Sequence, residues 1–288
     1  MPADIWTTWL DEADREGAAA DRQLRLLRSQ ARDRVLHKAG LKRGSRVVDL
    51  GCGRGFLALE AARMVGPEGL VTAVDSSPGA LEALGRKAEE SGWTNLRPLH
   101  ADIAALPLDG GEADVVVARS VLAYVPDRPA VIAETLRVLK PGGILSFFEP
   151  VLAEEDLVVD WGEEAYLWIK LRGILERHHP AYGFRREDLV DEVRGAGFNE
   201  VGSFTWHADV TRPFAGEEEA MEDFRSGLPG ELSLLSCWLR HGAGAGEVRR
   251  VAGRLAAESG KPSYRDILPC IYIWAEKPGA GSFKSHDR

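Results

Sequence analysis

At 288 residues, with 44% hydrophobic and 28% charged side chains, the chain has ordinary globular composition and enough apolar mass for a sizeable core. Its net charge of −9 and the lack of any dense Lys/Arg cluster argue against gripping a phosphate backbone, so no nucleic-acid partner is expected. Three cysteines, Cys52, Cys237 and Cys270, lack metal-ligand spacing, and their odd count does not suggest a disulfide framework. The opening residues lack the apolar core of a signal peptide, and no apolar run approaches the roughly 20 residues of a membrane span. The expectation is a cytoplasmic protein with no membrane span. The acidic runs Glu154-Glu155-Asp156 and Glu217-Glu218-Glu219 read as solvated surface.

Residues 20–40 read as a helix, with Leu24, Leu27, Ala31 and Val35 on one stripe. Strands are predicted over 46–50, 70–75, 95–100, 113–118 and 143–149, and helices at about 55–65, 78–91 and 127–139. Strands such as Asp114-Val115-Val116-Val117-Ala118 are apolar almost throughout, as strands covered on both faces should be. The alternation implies a parallel sheet with right-handed crossovers. After Glu149 the rhythm breaks. Residues 151–184 show no strand pattern and are rich in aromatics. A helix is predicted at 185–196, a strand at 201–206, helices within 215–260 and a last strand at 267–275. The organisation expected is an N-terminal helical cap over 1–40, an α/β core over 41–150 and a helical lid over 151–184. The core then ends over 185–276, with a helical insertion at about 207–266, and a disordered tail follows over 277–288.

Chemistry concentrates in Val47-Val48-Asp49-Leu50-Gly51-Cys52-Gly53-Arg54-Gly55-Phe56, a buried strand running through a glycine-rich turn into a helix. Glycines let the backbone approach a ligand, and the helix start offers free N–H groups. Asp75 closes the next strand, where a carboxylate can accept both hydroxyls of a ribose. Asp102 closes the third, where a carboxylate can accept from an adenine amino group. The nicotinamide fingerprint needs glycine where Phe56 stands, and no P-loop pattern is present.

Asp49-Leu50-Gly51-Cys52-Gly53-Arg54-Gly55 resembles the first motif of class I S-adenosylmethionine-dependent methyltransferases. The resemblance runs from about Arg46 to Pro150, through Val74-Asp75-Ser76-Ser77, Ala101-Asp102-Ile103, Leu106-Pro107 and Asp114-Val115-Val116. It ends on Leu136-Arg137-Val138-Leu139-Lys140-Pro141-Gly142-Gly143, which is similar to the ubiquinone/menaquinone-type and natural-product branch. It implies an α/β, doubly wound, mostly parallel seven-stranded Rossmann-like sheet with helical lid insertions. It also implies S-adenosyl-L-methionine as cofactor and S-adenosyl-L-homocysteine as product. Gly51, Gly53 and Gly55 would surround the aminoacyl part, Asp49 and Cys52 of the same motif would belong to the cofactor site, and Asp75 would hold the ribose. Ser76, Asp102 and Ile103 would meet the adenine, and Arg119 the methionine end. Cys52 is expected to pack rather than to attack.

After strand four the sequence reads Ala118-Arg119-Ser120-Val121, unlike the Asn/Asp-Pro-Pro-aromatic run of adenine and glutamine amino-methyltransferases. No acidic ligand set follows strands four and five, so a metal-independent enzyme is expected. The acceptor should sit over strands four and five. Tyr166, Trp168 and Tyr182, with Trp6, Trp9 and Trp161 as possible additions, offer flat apolar walls. His178, His179 and Glu149 are the base candidates if the acceptor must lose a proton. The bland alternatives are lid packing for the aromatics, core packing or a helix-end cation for the histidines, and a hydrogen-bonded anchor for Glu149.

The leading function is methyl transfer to a small hydrophobic or aromatic metabolite of specialised metabolism. The alternatives are a quinone-biosynthesis C-methyltransferase and, from another class, a non-catalytic cofactor-binding regulatory protein. The atom methylated and the oligomeric state are not encoded in any pattern here.

Overall fold

Val, Ile and Leu runs without polar alternation form strands that a sheet can bury on both faces, and 70–74 and 115–118 are such runs. The computed structural model describes residues 6, 7, 10 and 22–279. Helix α1 (Arg22–Lys38) leads into β1 (Arg46–Leu50), α2 (Ala58–Val65), β2 (Leu70–Asp75), α3 (Pro78–Glu90) and β3 (Leu96–His100). Then come β4 (Ala113–Arg119), α4 (Arg128–Val138) and β5 (Leu139–Pro150). The crossover helices start at coded caps. Ser77 Oγ accepts the Ala80 N–H at 3.1 Å and the Asp127 carboxylate accepts the Ala130 N–H at 3.0 Å, each with proline in the first turn.

The remainder comprises β6 (Asp156–Val158), α5 (Ala165–His178), α6 (Arg186–Gly195), β7 (Asn199–Asp209), α7 (Glu217–Ser226), α8 (Leu234–Arg240), α9 (Ala245–Ser259) and β8 (Arg265–Glu276). The strand order is β3-β2-β1-β4-β5-β8-β6, with β7 pairing β8. Strands β1 to β5 pair in parallel, as the alternation predicts. The sheet has eight strands rather than seven. The extra one, β6, lies antiparallel to the start of β8, with Leu157 opposite Asp266. A three-residue edge strand held by backbone pairing needs no side-chain alternation, so 151–184 gave no sign of it.

By contacts the chain divides into two units. One runs from α1 to Glu149 and adds Arg186–Thr205 and β8 from Ile271 onward. Its core is aliphatic: Val47, Leu50, Val71, Val74, Val116 and Val117, closed by Phe147. The other holds Pro150–Arg185 and Trp206–Cys270. There Trp238 is fully buried, donates from Nε1 to the Leu171 carbonyl at 2.9 Å and meets Phe224 edge-on at 4.9 Å. Residues 1–5, 8–9 and 11–21 of the expected cap, Trp9 among them, lie outside the described residues, as does the tail from 280. Among the described residues no helix is long and apolar enough to cross a membrane.

One acidic run is not simply solvated surface. Glu155 turns inward where β6 begins, 3.5 Å from Arg172, and burial, then the nearby Asp266 carboxyl, pushes its own carboxyl above the usual range. Glu217 and Glu218, by contrast, pair with Arg249 at the surface.

Trp238 anchors α5, α7 and α8 at once. Trp238→Ala should therefore cost about 3–5 kcal/mol in a denaturant titration, and a loss under about 1 kcal/mol would contradict that packing account.

Candidate active site

β1 ends at Leu50, and the chain reverses through Gly51 (φ 59°), Gly53 (φ 50°) and Gly55 (φ 86°). These left-handed conformations favour residues without a Cβ. Space requires glycine too: a Cβ on Gly51 would stand 2.5 Å from Val121 Cγ2, and one on Gly55 would run into Leu84 Cδ1. Because Leu50 lies opposite Val74 in the parallel register, Asp75 arrives beside this turn. Its Oδ2 accepts the Gly53 N–H at 2.8 Å and its Oδ1 the Ser77 N–H at 2.8 Å. Ser76 is exposed next to it. Asp102 follows β3, exposed, with Oδ1 accepting the Ala104 N–H at 2.8 Å, and Ile103 is half-buried. The structure thus gathers the predicted strand-end residues at one carboxyl edge, the usual ligand edge of open α/β sheets.

Beneath the turn, Asp49 is buried and its Oδ2 has no hydrogen-bond partner among the described residues. Burial, then the nearby Asp75 charge, pushes its carboxyl up to about 8, against the pull of Arg119 and the Ala58 N–H. Burial likewise pushes the Cys52 thiol up, and its Sγ lies 3.6 Å from the Gly53 carbonyl. A thiol held protonated is a packing group, not a nucleophile.

Arg119 ends β4 opposite Phe148, and its guanidinium lies over the Phe56 ring, 4.7 Å from the centroid. Ser120 takes φ 55°, rare for a residue other than glycine, while its N–H donates to the Phe148 carbonyl at 2.8 Å. This bend turns three successive N–H groups onto Glu149, which is 0% exposed. Oε1 accepts from Val121 at 2.9 Å and Leu122 at 3.0 Å, and Oε2 accepts from Ala123 at 3.2 Å. Burial raises the Glu149 carboxyl to about 7, while the three N–H groups and Arg119 oppose the shift. Its oxygens are committed to the backbone.

The other candidates lie in the second unit. His178 is exposed and stacks on His241, rings 3.9 Å apart and 1° from parallel. His179 is 3% exposed. Its Nδ1 accepts the Ala181 N–H at 3.2 Å and its Nε2 donates to the Leu232 carbonyl at 2.8 Å, a tautomer assigned from those partners. Burial lowers its pKa. Tyr182, also buried, meets His179 edge-on at 5.3 Å, with Arg172 over its ring. Trp168 stacks on Trp161 at 4.7 Å, whereas Tyr166 is 60% exposed. The structure therefore joins His179 to Tyr182 but leaves His178, Trp168 and Tyr166 in separate contacts. Among the described residues no group of three or more His, Cys, Asp or Glu side chains is arranged for a metal ion.

A methyltransferase-domain family profile matches residues 41–177. Arsenite methyltransferase of Aquipseudomonas alcaligenes is 30% identical over 240 residues, covering 73% of this chain and 68% of that protein. The chain belongs to the S-adenosylmethionine-dependent methyltransferases. Demethylmenaquinone methyltransferase of Geobacillus kaustophilus is 28% identical over 194 residues, covering 67% of this chain and 74% of the relative. In fold, this methyltransferase resembles the YcgJ protein of Bacillus subtilis, with a TM-score of 0.58 and 16% identity over 87% of this chain and 99% of that one.

The family's cofactor fits the edge on this structure's own terms. The crowding at Gly51 leaves no room for a side chain where a ligand must approach the backbone, and the orphaned Asp49 oxygen is a buried acceptor facing no described donor. Sequence reading gave no role at this edge to Phe56 or Val121. The bulk of Phe56 just after the last glycine was the one available signal.

The Asp49 shift has a consequence for stability. Its folded pKa, about 8, lies above the ordinary 3.8, so the fold favours the protonated acid. That advantage is complete below about pH 4 and is lost as pH rises towards 8. Asp49→Asn removes the titration. Relative to the parent, its Tm should gain about 2 °C or more between pH 5 and pH 8.5. No change, or a falling difference, would contradict the burial account.

Proposed function

We propose that this methyltransferase moves the methyl group of S-adenosylmethionine to a small hydrophobic or aromatic organic acceptor. The observation carrying this reading is the close pairing of the glycine turn with the Asp75 carboxylate, through the 2.8 Å bond from the Gly53 N–H. In this reading Asp75 accepts the ribose hydroxyls, while Ser76, Asp102 and Ile103 border the adenine. Gly51, Gly53 and Gly55 admit the aminoacyl part, and Asp49 offers it a buried acceptor. The cofactor's sulfonium supplies an electrophilic methyl. What the protein must add is alignment of the acceptor and exclusion of water.

Glu149 then acts as a loop anchor and His179 as a packing residue, because backbone groups occupy their polar atoms. Of the three base candidates His178 alone has an exposed ring, and it would serve only an acceptor that must lose a proton. Residues 151–184 and 207–266 carry acceptor specificity, with Tyr166, Trp168 and Tyr182 as its aromatic contributors.

The named relatives suggest two narrower acceptors. Arsenic(III) is a soft centre that favours thiolates. All three cysteines of this chain are buried, and burial holds Cys52 and Cys237 in the thiol form. That chemistry favours an organic acceptor. A quinol ring remains the second reading, supported by the demethylmenaquinone relative and its 74% coverage.

Two measurements test the proposal. Asp75→Ala should weaken S-adenosylhomocysteine binding at least tenfold, from the loss of charged hydrogen bonds worth about 1.5–3 kcal/mol each. Unchanged affinity would remove Asp75 from the site. A turnover panel of substituted phenols, naphthoquinols and arsenite should yield methylated product from an aromatic member, and turnover of arsenite alone would overturn the organic acceptor.

A further inference from the structure

Strand β6 is held by little besides its pairing with β8. It has three residues, of which Asp156 and Val158 are exposed and Leu157 alone is half-buried. Apolar burial therefore contributes little to its docking, and so short an edge strand is marginal by itself. The chain just ahead of it is tied down differently. Arg172 of α5 donates to the Leu152 carbonyl at 3.0 Å and the Ala153 carbonyl at 2.8 Å.

The pairing brings two acids together. Asp156 lies opposite Ile267 and Leu157 opposite Asp266 in an antiparallel register. Continued by one residue, that register sets Glu155 and Asp266 diagonally on one face, a separation that long side chains span. Their carboxyl groups are within hydrogen-bond reach of each other. Asp266 Oδ1 is buried, and no donor among the described residues reaches it. Two carboxylates have no hydrogen to share, so this contact is a bond only when one of them is protonated. Burial, then the Asp266 charge, pushes the Glu155 carboxyl up, which makes Glu155 the donor.

The surrounding charges fit one proton on the pair. Arg172 faces Glu155 from α5 at 3.5 Å, but its fork also serves Glu176 and the two carbonyls. Arg212, in the loop after β7, is paired with Asp223 of α7. Tyr264, just before β8, is buried, and burial with the Asp266 charge keeps its phenol protonated. Glu176, Asp209, Glu219 and Arg265 are exposed at the rim. Two arginines then balance Asp223 and a pair carrying a single negative charge. A second negative charge on the pair has no cation left to meet it.

We propose that Glu155 and Asp266 share a proton that latches β6 onto β8, and that loss of this proton releases the strand. The sign follows from linkage. The docked pair holds its proton above the usual carboxylate range, and the released, hydrated pair does not. Opening therefore sheds a proton and becomes up to tenfold more favourable per pH unit, until the docked pair itself ionises. β6 stands at the head of the 151–184 segment, so the latch sets how firmly that segment is held, whatever the acceptor.

The test is hydrogen exchange on full-length protein, read by mass spectrometry and corrected for the intrinsic rate at each pH. Protection of the amides of residues 156–158 should fall at least tenfold between about pH 6 and about pH 9. Protection of β1 amides should stay within twofold over the same range. In Glu155→Gln the side-chain amide gives Asp266 a donor that does not titrate, so protection at β6 should also stay within twofold. Asp266→Asn removes the second acid from the other strand and should give the same flat profile if Glu155→Gln does not fold. A flat profile in the parent protein overturns the latch. So does a fall in both variants that matches the parent, or a loss in β1 equal to that in β6, which would be unfolding of the whole chain.

Discussion

The candidate site depends on a carboxylate that faces the backbone rather than a ligand. Glu149 closes β5 in full burial and gathers the N–H groups of Val121, Leu122 and Ala123. Those groups are available only because Ser120 bends the chain through a left-handed conformation. Val121, once fixed, lies against the place where a Gly51 side chain would grow. A single carboxylate therefore links the ends of β4 and β5 to the glycine turn after β1. A buried charge costs several kcal/mol unless it is hydrogen-bonded, so it persists where the bonds it makes hold a shape that apolar packing would not define.

Asp49 shows the opposite arrangement in the same unit. It is as buried as Glu149, yet one of its oxygens bonds nothing described, and its acid is pushed higher. The free protein carries that cost, and a cationic group of a ligand would relieve it. Strained or unsatisfied groups concentrate at binding edges for this reason. Arg119 belongs to the same pattern with the charge reversed. Satisfied and unsatisfied ionic groups thus alternate within a few residues of one sheet edge, and the difference marks which of them hold shape and which await a partner.

Much of the α/β core was legible because its signals are local. Aliphatic runs announced β1, β2 and β4, the stretches between strands announced α3 and α4, and Asp75 and Asp102 were found from their positions at strand ends. What failed was not local. β6 is defined by pairing with a strand more than a hundred residues away, and Glu155 is buried by the same pairing. Leu167, Leu171 and Ile174 fall at helical spacing on the buried face of α5, but His178, which continues that spacing, is exposed beside His241. Charged residues gain meaning from neighbours supplied by other elements, and spacing within one element does not supply them.

The role given to Glu149 separates cleanly from that of a general base. Glu149→Gln keeps the shape and one carbonyl oxygen but turns an amide donor towards backbone donors, at a cost of about 1–3 kcal/mol. Thermal unfolding and S-adenosylhomocysteine titration of this variant, run beside turnover, are the decisive measurement. If Glu149 ties the edge together, Tm and ligand affinity fall together, with turnover falling as a consequence. Parent-like Tm and affinity with kcat alone reduced a hundredfold or more would make Glu149 the base and contradict the account.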